Sequence, residues 1–421
     1  MPMPRGGLWR NSNYVNLWGA ATVSTYGSLV TRTALPFTAI LLLNASPAAI
    51  GVLRVAELLP GFLFGLVAGA WGDRLRRKPI MIATDLGRAL LIVMIPLAAF
   101  LGWLGLGHLY VIAALVSVLS VFFDVAYQSI LPTLVKNEEL VEANGRLSAA
   151  LSVAEASAFS SAGWLIQLLT APVAILVDAF TFVASAGLVA RLQDPSSRTE
   201  PANPGSQPSI TSEVIEGLHA VWRQPILRGM VVAGVAQNLA FGLVGTVFLL
   251  YVNQEVGFEP GILGMIFAVG GVSSFLGALI AGRLPRFGVG AVMVASLLLA
   301  TVGEAFIPLA TAANTVGVLF LIGQQIVADS ALTVYDINQV SLRQAITAPH
   351  ILGRVNASVR VTEFGGILLG TVVAGYLGEV VGLRETLWLG VALSFVAAIA
   401  LALSPVREVR RIPEMRSEAP A

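Results

Sequence analysis

Gly69-Ala70-Trp71-Gly72-Asp73-Arg74-Leu75-Arg76-Arg77-Lys78 is the stretch on which the reading of this chain turns. It closes one long apolar segment and leads into another. Two apolar segments of about 20 residues or more, joined by a short loop dense in arginine, have the pattern of a membrane hairpin. Gly69 and Gly72 let the helix end approach a neighbour closely. Asp73 carries the charge that a helix N-terminus attracts. Arg74, Arg76 and Arg77 suit acidic partners or lipid phosphates. Basic residues alone need no explanation beyond topology; Asp73 behind two glycines is the more specific feature.

Working outward, the chain divides into twelve apolar segments, at about 14–43, 48–71, 79–103, 107–131, 142–169, 172–191, 226–252, 260–283, 289–311, 314–341, 350–378 and 384–404. The loops alternate in charge. Arg5 and Arg10, the 74–78 cluster, Lys136, Arg191, Arg198 and Arg223, Arg283 and Arg286, Arg343, and Arg407, Arg410, Arg411 and Arg416 fall on one side, whereas the other side carries Arg384 alone. That asymmetry predicts an even number of spans with both termini in the cytoplasm. The N-terminus lacks the short apolar core and small-residue cleavage site of a removable leader. The polar, Pro/Ser-rich stretch 192–225 divides the chain into an N-terminal six-helix bundle (1–191) and a C-terminal one with a short tail (226–421). Within the stretch, Ser212 to Trp222 reads either as a short interfacial helix or as part of a flexible tether.

Composition agrees. Of 421 residues, 56% are hydrophobic and 12% charged, about half the charged share of a soluble domain, so lipid must solvate most of the surface. A net charge of +1 gives no reason to expect a nucleic-acid partner, the absence of Cys excludes thiolate chemistry, and three dispersed His make no metal site. No nucleotide loop or nucleophile–base motif is visible, so neither an enzyme nor a cofactor is expected.

The halves repeat. Pro47 and Gly51 open the second segment as Pro260 and Gly264 open the eighth. With the offset one residue shorter, Asp124, Ser129, Leu140 and Asn144 meet Asp336, Ser341, Leu352 and Asn356. Two parallel halves form a transporter architecture.

The loop stretch resembles the cytoplasmic signature of the major facilitator superfamily. Asn16-Leu17-Trp18, Thr33-Ala34-Leu35-Pro36, Tyr127-Gln128-Ser129-Ile130-Leu131-Pro132 and Glu142-Ala143-Asn144 extend the resemblance to its bacterial transmembrane secretion effectors, which include enterobactin exporters and macrolide efflux proteins. The resemblance implies an all-α fold of twelve helices in two six-helix bundles. Helices one, four, seven and ten would line a cavity, and two, five, eight and eleven would flank it. Asp73 would meet the start of the eleventh helix, near Gly353 to Asn356, and hold the cytoplasmic side shut. The second-half copy, Gly282-Arg283-Leu284-Pro285-Arg286, lacks the Asp. The fifth helix, Ala156 to Gly163, lacks the Pro of the exporters' motif, which leaves the direction of transport open.

Charges at bilayer depth need partners or an aqueous cavity. Arg32, Arg54 and Glu57 form one expected network, either a coupling site or an ion pair fixing the first two helices. Glu155, Asp329, Arg360 and Glu363 fall near mid-depth on cavity-side helices and are further proton-coupling candidates, with Arg360 and Glu363 three apart on one face. Asp329 has no basic neighbour on its own helix, which leaves it free to load and release a proton. Asp124 and Asp336 are expected to make gate contacts with Arg146 and Arg354, or with the basic loop, alongside Asn144 and Asn356. Asp178 and Glu304 read as local hydrogen-bonding groups, and Trp18 as an interface anchor. Tyr26, Gln237, Asn238, Gln324 and Gln325 are candidate substrate contacts; each equally suits a helix–helix hydrogen bond. The resulting expectation is a monomer in the bacterial cytoplasmic membrane that exports an amphipathic small molecule, such as a drug or siderophore-like compound, by alternating access, driven by the proton gradient. Uptake of a polar metabolite by symport or uniport is the alternative, and a membrane scaffold or enzyme is a third.

Overall fold

The computed structural model describes residues 8–72, 76–193 and 210–411. Among these residues the chain is helical throughout, with no strand. The helices are α1 (Ser12–Phe37), α2 (Pro47–Gly72), α3 (Arg77–Phe100), α4 (Leu106–Leu134), α5 (Leu140–Leu169), the short α6 (Ala171–Ala174), α7 (Leu176–Ala190), α8 (Ile210–Arg223), α9 (Pro225–Leu250), α10 (Pro260–Ala281), α11 (Val289–Glu304), the short α12 (Phe306–Leu309), α13 (Thr315–Gln324), α14 (Ser330–Ile346), α15 (Pro349–Val380) and α16 (Leu383–Leu403). Five-residue π-helical segments extend α1 (Thr38–Leu42) and α9 (Tyr251–Glu255) and join α13 to α14 (Gln325–Asp329).

Among the described residues, eleven helices are long and apolar enough to cross a membrane. The first segment counted from the sequence does form a helix, α1, but stands outside this set. Asn13, Asn16, Thr22, Ser24, Thr25, Ser28, Thr31, Arg32 and Thr33 keep its hydropathy low.

The internal repeat is visible in backbone geometry. The π segments Thr38–Leu42 and Tyr251–Glu255 lie 213 residues apart, as Pro47 and Pro260 do. At the same spacing, Ala45 N donates to Ala39 O and Phe258 N to Val252 O. Asn44 and Gly257, at this spacing too, both take positive φ, 50° and 88°. Thr170 and Gly382, 212 residues apart, also share positive φ, 84° and 116°. Side-chain identity has drifted at these sites while the turn has been kept.

The chain forms two compact units. Unit 1 is Met1–Gly205 with Glu259–Ala268; unit 2 is Ser206–Phe258 with Val269–Ala421. The boundary departs from the sequence reading, because the start of α10 goes with unit 1. There Gly163 of α5 meets Gly264, where a Cβ on Gly163 would lie 2.9 Å from the Gly264 Cα. Gln167 Oε1 accepts from Gly261 N (3.0 Å), and its Nε2 donates to Glu259 (2.7 Å). Within the stretch 192–225, the helical alternative is the one found, as α8 (Ile210–Arg223). This helix lies on α15 and buries Val221 with Val355 and Val359, and its Glu216 pairs with Arg354.

Candidate functional site

In unit 1, α1 presents Trp18, Thr22 and Tyr26 at four-residue spacing, which puts them on one face. Across from them α5 presents Arg146, Ala150, Val153 and Ser157. With Trp9 these residues line a cavity of about 610 Å³ that is almost wholly apolar. Trp9 and Trp18 meet edge to face at 5.2 Å, and Arg146 stacks over Trp9 at 5.1 Å. Arg146 pairs with Glu142 one helical turn away, yet its Nη1 is buried with no hydrogen-bond partner. Tyr26 Oη and Ser161 Oγ are 2.7 Å apart. Tyr26 therefore lines the cavity while bonded to α5, and Trp18 lines it too.

Further along α1, Arg32 is exposed and lies within electrostatic reach of Arg54, Glu57 and Glu155. Arg54 Nη1 donates to Glu57 Oε2 at 3.2 Å. Glu155 lies on α5, the helix that also carries one wall of the cavity.

Behind α1 is a buried cluster that sequence reasoning missed. Asp85 and Arg88, three apart on α3, are 0% and 3% exposed and hydrogen-bonded to each other. The Arg88 guanidinium is sandwiched between the Phe123 and Phe182 rings, at 4.5 and 4.2 Å from their centroids, and also donates to Ser120. Asp178 on α7, fully buried, accepts from Thr181 Oγ1 (3.2 Å) and lies in the field of Arg88. Gly27 of α1 makes the room, since a Cβ there would lie 2.6 Å from Asp178 Oδ1. An Asp and an Arg one turn apart inside an apolar segment were the signal that could have found the cluster.

In unit 2, Asp329 ends the π segment of α13–α14. Gly270 of α10 leaves space for it and for Gln325, whose side-chain oxygens would lie 2.4 and 2.9 Å from a Cβ at that position. Gln325 is buried, and its backbone O accepts from Ser273 (2.6 Å). Such π insertions inside helices recur at functional sites. Asp329 forms no ion pair among the described residues, and its charged neighbour is another carboxylate, Glu304. Glu304 accepts from Gln237 (3.1 Å) and from Ser394.

Gln237 is buried and turned onto Glu304, the helix–helix bond that its position also allowed, here between α9 and α11. Asn238 donates to Gly234 O on its own helix (2.9 Å). Gln324 is half-buried. Arg360 and Glu363 do not pair. Arg360 is exposed, while Glu363 accepts from Gln339 (3.1 Å) beside Gly234 and sits near Arg343 and Asp336. Among the described residues Asp124 and Asp336 form no ion pair with Arg146 or Arg354, which pair with Glu142 and Glu216; the basic-loop alternative falls partly outside the described residues. Asp124 lies instead in the field of Arg88. Asn144 donates to Leu140 O (2.9 Å), and Asn356 Oδ1 is buried without a partner. Gly69 and Gly72 lie in the last turn of α2, and Arg77 opens α3. Asp73 and Arg74 lie outside the described residues. Among the described residues no cluster of His, Asp or Glu is arranged to hold a metal.

The family model of the Major Facilitator Superfamily matches residues 17–323 and again 230–420. The chain belongs to the Major Facilitator Superfamily. It is therefore a multi-pass membrane protein of a transporter family. Relatives of this facilitator include an uncharacterised transporter of the same type, y4rN of Sinorhizobium fredii. It is 27% identical over 336 residues, covering 79% of this chain and 80% of the relative. The multidrug efflux pump Tap of Mycolicibacterium fortuitum is 26% identical over 407 residues, 93% of this chain and 95% of Tap. In fold, the facilitator is similar to the crystal structure of the nucleoside transporter NupG, with a TM-score of 0.72 at 15% identity, over 92% of this chain and 98% of NupG. The overlap of the two family matches agrees with a repeat inside the chain.

Proposed function

We propose that this facilitator exports an amphipathic small molecule in exchange for protons. The observation that carries this reading is the cavity between α1 and α5. Two tryptophans and a tyrosine offer apolar stacking surface, and one guanidinium nitrogen in its wall has no partner. Such a lining suits a molecule that is mostly apolar or aromatic with a hydrogen-bond acceptor at one end. The Arg32–Glu155 network begins on the same two helices, so a bound molecule and a charge rearrangement would be felt by the same elements. Asp329 is the proposed proton carrier. A carboxylate that meets another carboxylate and no cation has nothing to neutralise it except a proton. The name of Tap, a relative that spans nearly the whole chain, favours efflux. In this reading α1 is a twelfth span facing the substrate path. Both termini lie in the cytoplasm, and a monomer in the bacterial cytoplasmic membrane works by alternating access.

The test is gradient-driven transport of a panel of amphipathic dyes in proteoliposomes. Asp329→Asn is expected to abolish uphill transport while dye-for-dye exchange survives. Gradient-driven transport unchanged in both Asp329→Asn and Glu155→Gln would overturn the assignment of the carriers. A second reading, uptake of a polar metabolite, is favoured by the missing Pro in Ala156 to Gly163. Inside-out and right-side-out vesicles distinguish the two.

A further inference from the structure

We propose that a basic cavity in unit 2, at the Arg-rich end of its helices, binds the phosphate of an anionic phospholipid. After α16 the chain turns through Pro405–Glu408 and lies back along the start of α11. Val289 N donates to Arg410 O (3.4 Å), and Gly290 N to Val409 O (2.9 Å). Gly290 is required here, because a Cβ would lie 1.8 Å from Val406 O. This strap brings Arg410 and Arg411 to a cavity of about 930 Å³ that Arg286, on the turn Leu284–Phe287, also lines. Ser341 and Asn338 of α14 complete the wall. Both are already committed, Ser341 Oγ to Ile337 O and Asn338 Nδ2 to Val334 O.

The charge balance calls for an anion. Three guanidinium groups line one cavity, and among the described residues no carboxylate lines it. The strap's own acid, Glu408, stays outside with Arg407. Three cations lining one cavity favour an anion within it, and the guanidinium fork matches phosphate oxygens in pairs. Inorganic phosphate and a lipid headgroup share that chemistry. The rim favours the lipid: Phe287 is 65% exposed beside Arg286, and Ile337 is 39% exposed, so apolar surface stands next to the cationic pocket where acyl chains would lie. Basic pockets between membrane helices bind anionic headgroups by this combination.

The experiment uses the full-length protein in nanodiscs of phosphatidylcholine, with or without phosphatidylglycerol, and in phosphatidylcholine with millimolar inorganic phosphate. Native mass spectrometry counts retained lipid, and thermal unfolding reports stabilisation. The variant is Arg286→Gln/Arg410→Gln/Arg411→Gln. Lys136→Gln/Arg191→Gln, which removes two basic residues outside the cavity, serves as control. Phosphatidylglycerol should stabilise wild type and control. The triple variant should bind it at least about tenfold more weakly, since each interfacial arginine contributes roughly fivefold. Backbone atoms hold the strap, so the triple variant should unfold in pure phosphatidylcholine at the wild-type temperature. A triple variant that still responds to phosphatidylglycerol as wild type does would overturn the proposal. So would inorganic phosphate matching the full effect of the lipid, because the cavity would then take the free anion.

Discussion

At the scale of single residues, two sites make opposite demands. Thr170 sits at φ 84° and ψ 153° between α5 and α6, a region that is close to glycine-only and costs a side-chain-bearing residue about 1–3 kcal/mol. Its repeat partner is Gly382. Thr170→Gly is therefore expected to stabilise the protein by about 1 kcal/mol after the extra chain entropy of glycine is deducted, read as a higher unfolding temperature in detergent; a lower one would show that the Thr side chain makes a compensating contact. Arg88 makes the contrary case. It is the cation for Asp85 and lies in the field of Asp178, all three buried. Removing a single partner leaves an uncompensated charge, so Arg88→Met should cost about 3–5 kcal/mol. The double variant Asp85→Leu/Arg88→Met should recover part of that loss, although Asp178 still lacks its cation. If the double variant proves less stable than the single one, the pair is not what holds the cluster together.

At the scale of elements, α8 shows how one contact turns a connecting stretch into structure. Gly217 lies against α15, and a Cβ there would be 2.2 Å from the Arg354 carbonyl oxygen, a backbone atom that cannot move aside cheaply. Val221 and the Glu216–Arg354 pair complete the seat. Gly217→Leu should release α8 and remove amide-exchange protection from Ile215 to Arg223. Gly145→Ala, where nothing stands within 4 Å of the new Cβ, should leave the pattern unchanged. Protection that persists in Gly217→Leu would mean that α8 is held by its other contacts. The glycines of α10 act in the same way. Gly270 admits Asp329 and Gln325, and Gly277 lets the backbone of Ser330 come close. Asp329 can thus be placed inside a bundle with no cation beside it.

At the scale of the whole molecule, the apolar segments, their repeat and the family were legible from the chain as written. Hydropathy and arginine placement act on each segment separately, because lipid and water solvate one segment at a time and neither depends on its neighbours. The repeat could be read for the same reason, since Pro47 and Pro260 mark local helix starts that need no tertiary context. The partner of each buried charge could not be read that way. Arg360 and Glu363 share a helix face by spacing, yet Glu363 turns to Gln339 on another helix, because helix rotation and the space left at Gly234 decide which side chain arrives. Arg146 and Arg354 went to Glu142 and Glu216, one on the same helix and one on α8, whose seat on α15 nothing local in 192–225 specified. Asp85, Arg88 and Asp178 meet across about ninety residues of sequence. Hydrophobicity placed them all within the membrane, and helix packing chose the neighbours that compensate them.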